Sequence, residues 1–446
     1  MFMKIIQHTH LFLVVISTLF GGYAVSNQDS FDIRMQELAL YKQFDIRADI
    51  SSKWQDELND SLATYNYPTD FISVGTTYLL EAYPKLKEQL PYLGFANLPT
   101  PITQLTHIMT EYGTQVYMKN DALTGGYDDQ GNHIYGGNKV RKLEFLLAHA
   151  KSLGATKIVT FGCVASNHAV ATTVHAHRQG FAKVIVMLCH QPPSRAVQHN
   201  LLLHQAYGSQ LHYYANNDIR KIETVALWLD HLKKDGQVPY MIPTGGSNAI
   251  GALGYVNAVF ELVEQIQRGA MPAPTHIYVP IGSCATTAGI LLGCKATGLK
   301  AAVVAIAVMP MDELYFEQGV EQLFKQTHDL LRRNDDSFPE CTYSSDDLCI
   351  DQNFSGPKYG IFTPEGVHAA RKILAAQAVS LDGTYSAKCF AGLLSHIQHN
   401  PAQVALFWNT YCGLDFSHVL NGQSYKQLPH CLHDYFDDAN LQEFDR

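Results

Sequence analysis

The chain has 446 residues, 46% of them hydrophobic and only 16% charged, with 32 Lys and Arg against 41 Asp and Glu for a formal charge of −9. That length and apolar content admit two or three domains with large cores and exclude wholesale disorder. No Lys/Arg run supplies the electrostatic footprint of a nucleic-acid binder. Low charge suits a small-molecule enzyme, or an oligomer that hides much of its surface.

Lys4 precedes the apolar run Leu11–Phe20, and the small residues Ala24 and Ser26 follow at the spacing of a cleavage site. Residues 1–26 thus have the layout of a secretory signal peptide, too short to span a bilayer comfortably. Cleavage predicts a periplasmic or secreted protein; without it the chain is cytoplasmic. Later apolar runs are broken by Gly, Pro or charge, so no membrane span is expected in the mature chain. Residues 27–95 read as a helical extension, with helical spacing over Met35–Tyr41 and Tyr78–Leu90 and a break at Tyr65–Pro68.

Strand–helix alternation begins after Leu98. Ala155–Phe161, Ala182–Leu188, Thr275–Pro280, Leu299–Met309 and Val404–Trp408 read as buried strands. Ser166–Gln179, Arg195–Ala206 and Ala288–Thr297 read as the helices between them. This pattern predicts an α/β fold with twisted, mostly parallel sheets and helices on both faces. The nine cysteines are odd in number and include no CxxC, which argues against a disulfide framework or a zinc site. Cys341 and Cys349, in a polar loop, are the one pair the sequence suggests could bridge. His175 and His177 diverge on a helix, so no metal site is expected.

Several strand–turn–helix junctions carry groups suited to chemistry. In Gly136-Gly137-Asn138-Lys139, a lysine stands at a helix N-terminus, where the dipole and desolvation both lower its pKa. A Schiff-base lysine needs that, because the neutral amine is the nucleophile; an ordinary turn with a surface lysine has the same local look. Ser166 in Ser166-Asn167-His168 can cap a helix whose free N–H groups accept a carboxylate or phosphate, or can simply cap it. Gly282-Ser283-Cys284-Ala285-Thr286 is a small-residue turn that lets the backbone approach a phosphate, and Thr244–Ala249 resembles it. Neither has the dinucleotide GxGxxG spacing. Tyr359 and Tyr385 lie in Gly-flanked loops as acid/base or aromatic-wall candidates. Thr410 follows a buried strand at the sheet end where open α/β folds bind ligands.

Taken in order, GGNKVRKLEFLLA, SNH, GGSNAIGALGY, GSCATTAG and LDGTYSAK resemble the D-cysteine desulfhydrase / 1-aminocyclopropane-1-carboxylate deaminase family. That family belongs to the tryptophan-synthase-β-like enzymes that use pyridoxal 5'-phosphate. The resemblance runs from about Leu98 to Gly413. It implies a two-domain fold, with a large domain over 96–141 and 250–446, a small domain over 142–249, the cofactor between them, and a homodimer. It implies that Lys139 holds the cofactor covalently and moves the α-proton. Asn167 contacts the cofactor's 3′-oxygen, and Gly282, Ser283, Cys284, Ala285 and Thr286 cradle its phosphate. Thr410 meets the pyridine nitrogen as a neutral partner. Ser166, with the Asn167 and His168 backbone, holds the carboxylate of a small amino-acid substrate, which Tyr359 and Tyr385 face.

Ser386 stands where the deaminase branch has Glu, and His168 where it has Gln. Both tilt the expectation toward desulfhydrase-like α,β-elimination and away from cyclopropane ring opening. Yet the desulfhydrase branch usually has Gln where Ala165 stands, and Ala285 replaces a customary Gly in the phosphate turn; with the expected export, these departures motivate a third possibility, a binding protein without turnover.

Overall fold

The computed structural model describes residues 72–75, 77–215, 220, 227, 239–400 and 404–445. The signal-peptide reading of 1–26, the helix at Met35–Tyr41 and the break at Tyr65–Pro68 lie outside them. Tyr78–Leu90 is helical, but as two pieces, Tyr78–Ala82 and Pro84–Gln89, divided at Tyr83. Pro84 lacks the N–H that would continue the first piece and is well suited to open the second. Leu79, Leu80, Leu86 and Leu90 are buried in the main core, so this part of the extension packs as an integral layer.

Two sheets carry the rest. The strands are β1 (Ile102–Gln104), β2 (Gln115–Asn120), β3 (Lys157–Cys163), β4 (Lys183–Cys189), β5 (Gln210–Tyr214), β6 (Tyr240–Ile242), β7 (His276–Ile281), β8 (Ala302–Ala307), β9 (Leu348–Asp351) and β10 (Val404–Asn409). The six-stranded sheet has the order β9-β8-β7-β10-β2-β1, parallel except where β1 meets β2. The four-stranded sheet has the order β5-β4-β3-β6 and is wholly parallel. The principal helices are α1 (Lys139–Ser152), α2 (Asn167–Arg178), α3 (Arg195–Ala206), α4 (Ala249–Gln267), α5 (Ala285–Thr297), α6 (Glu313–Asn334), α7 (Pro364–Gln377) and α8 (Ser386–His399).

Period-two alternation makes both faces of the larger sheet apolar. Ile277, Val279, Val303, Ala305, Leu406 and Trp408 join one core with α4, α5 and α6. Tyr278, Val304, Ile306, Ala405 and Phe407 join another with α7 and α8. The smaller sheet has its own core with α1, α2 and α3, to which Leu432 and Tyr435 of the C-terminal segment contribute. No helix among the described residues is long and apolar enough to cross a membrane.

A fully buried charge cluster locks α1 to α4 and the larger sheet. Arg141, two residues into α1, donates to Asp121 Oδ1 (2.9 Å), Glu261 Oε2 (2.8 Å) and Thr100 Oγ1 (2.9 Å). Lys119 on β2 donates to Glu261 and to Gln265 Oε1 (2.7 Å). Asp121 Oδ2 also accepts from Tyr255 (2.6 Å) and from Trp408 Nε1 (2.8 Å). Two cations face two anions, so the cluster is neutral, and losing one partner strands the others in the core. Removing one member of such a buried set costs about 3–5 kcal/mol. Burial opposes ionisation of Glu261, but Arg141 and Lys119 outweigh it and hold its carboxyl at about 2, below the usual 4.5. A depressed carboxyl contributes stability that is present above its unfolded value and lost as pH falls through the folded one. Glu261→Gln is therefore expected to lose about 3–5 kcal/mol in denaturant unfolding at neutral pH. Its deficit against wild type should shrink as pH drops from 4.5 toward 2; a deficit constant across that window would refute the assignment.

Candidate active site

The sequence-predicted residues meet where the C-terminal ends of the two sheets face each other. Lys139 opens α1, partly exposed, directly after the Gly136-Gly137 turn. Gly137 has φ +89°, and a Cβ there would lie 3.0 Å from the Thr410 carbonyl oxygen, so the turn requires glycine. Its N–H donates to the Asp121 carbonyl (2.8 Å), and the Asn138 N–H donates to that of Thr410 (3.0 Å). Asn138 Nδ2 reaches Thr286 Oγ1 at 3.2 Å. The lysine turn is thus pinned to the ends of β2 and β10 and to the start of α5. Burial pushes the Lys139 amine down to about 8, partly opposed by the Asp382 carboxylate.

The β3–α2 turn presents Ser166 and Asn167. Ser166 does cap α2, its Oγ accepting from the Ala169 N–H (3.2 Å), while its own N–H donates to the Cys163 carbonyl (2.8 Å). A Cβ at Gly162 would fall 2.4 Å from Ser166 Oγ, so that glycine makes room for the cap. Asn167 Oδ1 accepts from Tyr135 (3.2 Å) and from Asn200 Nδ2 (3.3 Å). Two donors on Oδ1 orient the amide and leave Nδ2 as a donor for a ligand. His168 turns inward to Thr160 Oγ1 (3.0 Å), and burial holds its imidazole well below the usual range. Its neutral ring faces the core, so only its backbone is available for a carboxylate.

The β7–α5 turn holds Gly282–Thr286. Cys284 has φ +67°, which is strained for a non-glycine residue, and no side chain caps α5. The first-turn N–H groups of that helix therefore lack intrahelical acceptors. The Thr244–Gly246 turn closes against it: a Cβ on Gly245 would sit 2.1 Å from Ser283 Oγ, and Ser247 Oγ donates to Ser283 Oγ (2.7 Å). Lys142, one helical turn after Lys139, is buried with its Nζ on the Gly245 carbonyl (3.1 Å). No carboxylate pairs with it among the described residues. Burial, and then the Lys139 charge, push its amine well down, while Cys284 acts in the opposite sense. A buried amine without a counter-ion, beside open helix N–H groups and a glycine cradle, fits a phosphate.

Tyr359 and Tyr385 share a 2.6 Å hydroxyl–hydroxyl hydrogen bond, and Tyr385 packs against Gly282. Burial raises both phenols, so both stay protonated and can donate. Asp382 accepts the Tyr385 and Ser386 N–H groups (2.9 and 3.0 Å) and the Ser386 hydroxyl (2.6 Å). Ser386 is thereby committed to the helix start.

Four supporting residues were not anticipated from the sequence. Lys142 was visible as the i+3 neighbour of Lys139. Asn200 also donates to the Ala165 carbonyl (3.0 Å), and no motif marks it. Lys388 donates to Val308 O (3.0 Å) and Ser355 O (2.6 Å), tying the loop that carries Tyr359 to α8. Gln442 of the C-terminal segment grips the same loop through Gly360 O (3.0 Å) and the Phe362 N–H (2.9 Å). The expectation for Cys341 and Cys349 is replaced: both are free thiols, and Cys163 and Cys189 are the cysteines in contact, with sulfurs 3.2 Å apart.

This geometry has counterparts among known proteins. The chain is 32% identical over 317 residues to the bifunctional D-cysteine desulfhydrase/1-aminocyclopropane-1-carboxylate deaminase of Arabidopsis thaliana, covering 69% of this chain and 74% of that one. It is 31% identical over 315 residues to the D-cysteine desulfhydrase of Serratia proteamaculans, covering 69% of this chain and 89% of that one. A solved structure of an ACC deaminase homologue superposes with a TM-score of 0.63 at 28% identity, covering 81% of this chain and all of the other. Residues 94–409, which hold every side chain of the site except Thr410 and Gln442, match the family described as pyridoxal-phosphate dependent enzyme, and the chain belongs to that family.

Proposed function

We propose that this enzyme removes the β-substituent and amino group of a small amino acid by α,β-elimination, in the manner of a D-cysteine desulfhydrase. The enamine left by elimination tautomerises to an imine, which water hydrolyses to a keto acid and ammonia; the β-group leaves as sulfide when the substrate is cysteine. The observation that carries this reading is one cleft holding a lysine whose amine is easily neutral, an anion cradle and two protonated tyrosines. Large and small domains, divided as the sequence suggests, would each contribute one sheet end.

Each role has a physical basis. Lys139 binds the cofactor and, as a neutral base, takes the α-proton. Bound pyridoxal phosphate supplies an electron sink for the pair left behind. Gly282, Ser283, Cys284, Ala285 and Thr286, with Lys142, would hold its phosphate; Asn167 Nδ2 would donate to its 3′-oxygen, and Thr410 would serve its ring nitrogen. Ser166 and the α2 N-terminus hold the substrate carboxylate. The hydrogen-bonded Tyr359–Tyr385 pair hands a proton to the departing β-group. Ring opening of 1-aminocyclopropane-1-carboxylate is the second reading, favoured by the likeness to the ACC deaminase homologue.

The test is a panel of D- and L-amino acids and the cyclopropane amino acid, with keto-acid detection. Keto acid from D-cysteine supports elimination. Product only from the cyclopropane substrate replaces it with ring opening, and a yellow protein with no product indicates a binder. Lys139→Ala should lose both the covalent cofactor absorbance and turnover; retention of both would overturn the assignment.

Lys142→Met should weaken cofactor affinity by about 10–100-fold, the worth of one charge-assisted hydrogen bond of about 1.5–3 kcal/mol. Equilibrium dialysis of the apoprotein against cofactor measures this.

Neutral Lys139 amine accumulates as pH rises through about 8. Reconstitution of apoprotein with cofactor should accelerate with pH across that value. Asp382→Asn should move the midpoint lower, because Asp382 favours the charged amine. Stopped-flow absorbance against pH checks both shifts.

A further inference from the structure

We propose that Cys163 and Cys189 form a reversible disulfide that shuts down the site. The two residues are in-register neighbours at the C-terminal ends of the parallel strands β3 and β4. Such neighbours lie about 4.8 Å apart at Cα, within the range that disulfides span. They project to the same face, and their sulfurs are already 3.2 Å apart. Bond formation brings them to about 2.0 Å, a movement that rotation of the side chains and a small shift of one strand end can supply.

The surroundings favour oxidation. Arg220 spans the strand ends, donating to Gly162 O (3.1 Å), Met187 O (3.4 Å) and Cys189 Sγ (3.7 Å). The hydrogen bond between the two thiols, with Arg220 beside them, lowers the Cys189 thiol against the opposing effect of burial. Cys163 is only partly covered, so a small oxidant has a route to the pair. The oxidant is a peroxide. The Cys189 thiolate attacks one peroxide oxygen, the O–O bond breaks, and a sulfenic acid and hydroxide result. The Cys163 sulfur attacks the sulfenic sulfur, the S–O bond breaks, and the oxygen leaves as water with the Cys163 proton. Two thiols and one hydrogen peroxide become one disulfide and two waters. A dithiol returns the two electrons and restores the pair.

The link to the site is direct. The Cys163 carbonyl accepts the Ser166 N–H (2.8 Å), and the Cys189 carbonyl accepts the Val164 N–H (3.0 Å). The turn that presents Ser166 and Asn167 is therefore built on the two cysteines. The shift of a strand end that accompanies the bridge carries that turn with it, and a misplacement of up to about 1 Å costs up to about 10²-fold in rate.

The effect on turnover rests on the proposed function; the bridge itself does not. Purified holoenzyme is treated with hydrogen peroxide, alkylated and digested, and its peptides mapped. The expected result is a peptide pair joined through Cys163 and Cys189, with turnover reduced on the order of tenfold or more and recovered with dithiothreitol. Cys189→Ser should remove both the bridge and the recoverable inhibition. Both cysteines still alkylatable after oxidation, in protein that turns over, overturns the proposal, as does a mapped bridge with unchanged turnover. If the proposed reaction is wrong, the reduced protein yields no keto acid either, which separates the two failures.

Discussion

The buried ion cluster around Arg141 is the constraint on which the site depends. It joins four parts of the chain that are distant in sequence: Thr100, the β2 end at Lys119 and Asp121, the start of α1, and Glu261 on α4. A hydrophobic contact could hold these elements together but leave their relative rotation loose. A guanidinium with fixed donor directions sets both distance and orientation. Arg141 lies two residues beyond Lys139, so orienting one orients the other. Asp121 serves twice, since its carboxylate takes the guanidinium and its backbone carbonyl takes the Gly137 N–H ahead of the lysine.

Around that fixed point, the parallel sheets do the gathering. Strands β3 and β7 end at the site, and the helices that follow them begin there, where first-turn N–H groups lack intrahelical acceptors. The α2 start offers Ser166 and Asn167, and the α5 start offers the Gly282–Thr286 turn. Both attract anions, one from each sheet. A ligand with two negative ends, such as a cofactor phosphate and a substrate carboxylate, can bridge them. The C-terminal segment adds a clasp, because Leu432 and Tyr435 pack in the smaller sheet's core while Gln442 holds the Tyr359 loop.

The sequence made much of this legible, and the reasons are local. Strands such as Lys183–Cys189 and Val404–Asn409 are continuous apolar runs because both of their faces are covered, so they stand out. The glycines that bound the site are equally visible, because a side chain at Gly137 or Gly162 would strike a neighbour. Five strands of the two sheets are not among those the sequence predicts: Ile102–Gln104, Tyr240–Ile242 and Leu348–Asp351 are too short to carry periodicity, and Gln115–Asn120 and Gln210–Tyr214 mix polar with apolar residues. Asn200, Lys388 and Gln442 act through long-range pairing that no linear spacing encodes. Cys163 and Cys189 lie in separate apolar runs, and only strand register puts their sulfurs together. Cys341 and Cys349 draw the expectation because they lie in a polar loop, away from the apolar segments that hold most of the other cysteines.

The placement of charge explains how two lysines one helical turn apart can take different roles. The Arg141 cluster balances its own charges, so it adds little net field at the start of α1. Lys139 is left with burial, which favours the neutral amine, and Asp382, which moderates that effect. A neutral amine near pH 8 is what a base and nucleophile requires. Lys142 is buried more deeply and touches only a carbonyl, so its charge is costly until an anion arrives. An anion held by the β7–α5 turn restores that charge, and its own negative field also reaches Lys139. Burial and the intervening helix start must therefore keep the anion's effect stronger on Lys142 than on Lys139. Lys142 meets that requirement through its place, since its Nζ already rests on the Gly245 carbonyl of the turn that closes against the β7–α5 turn.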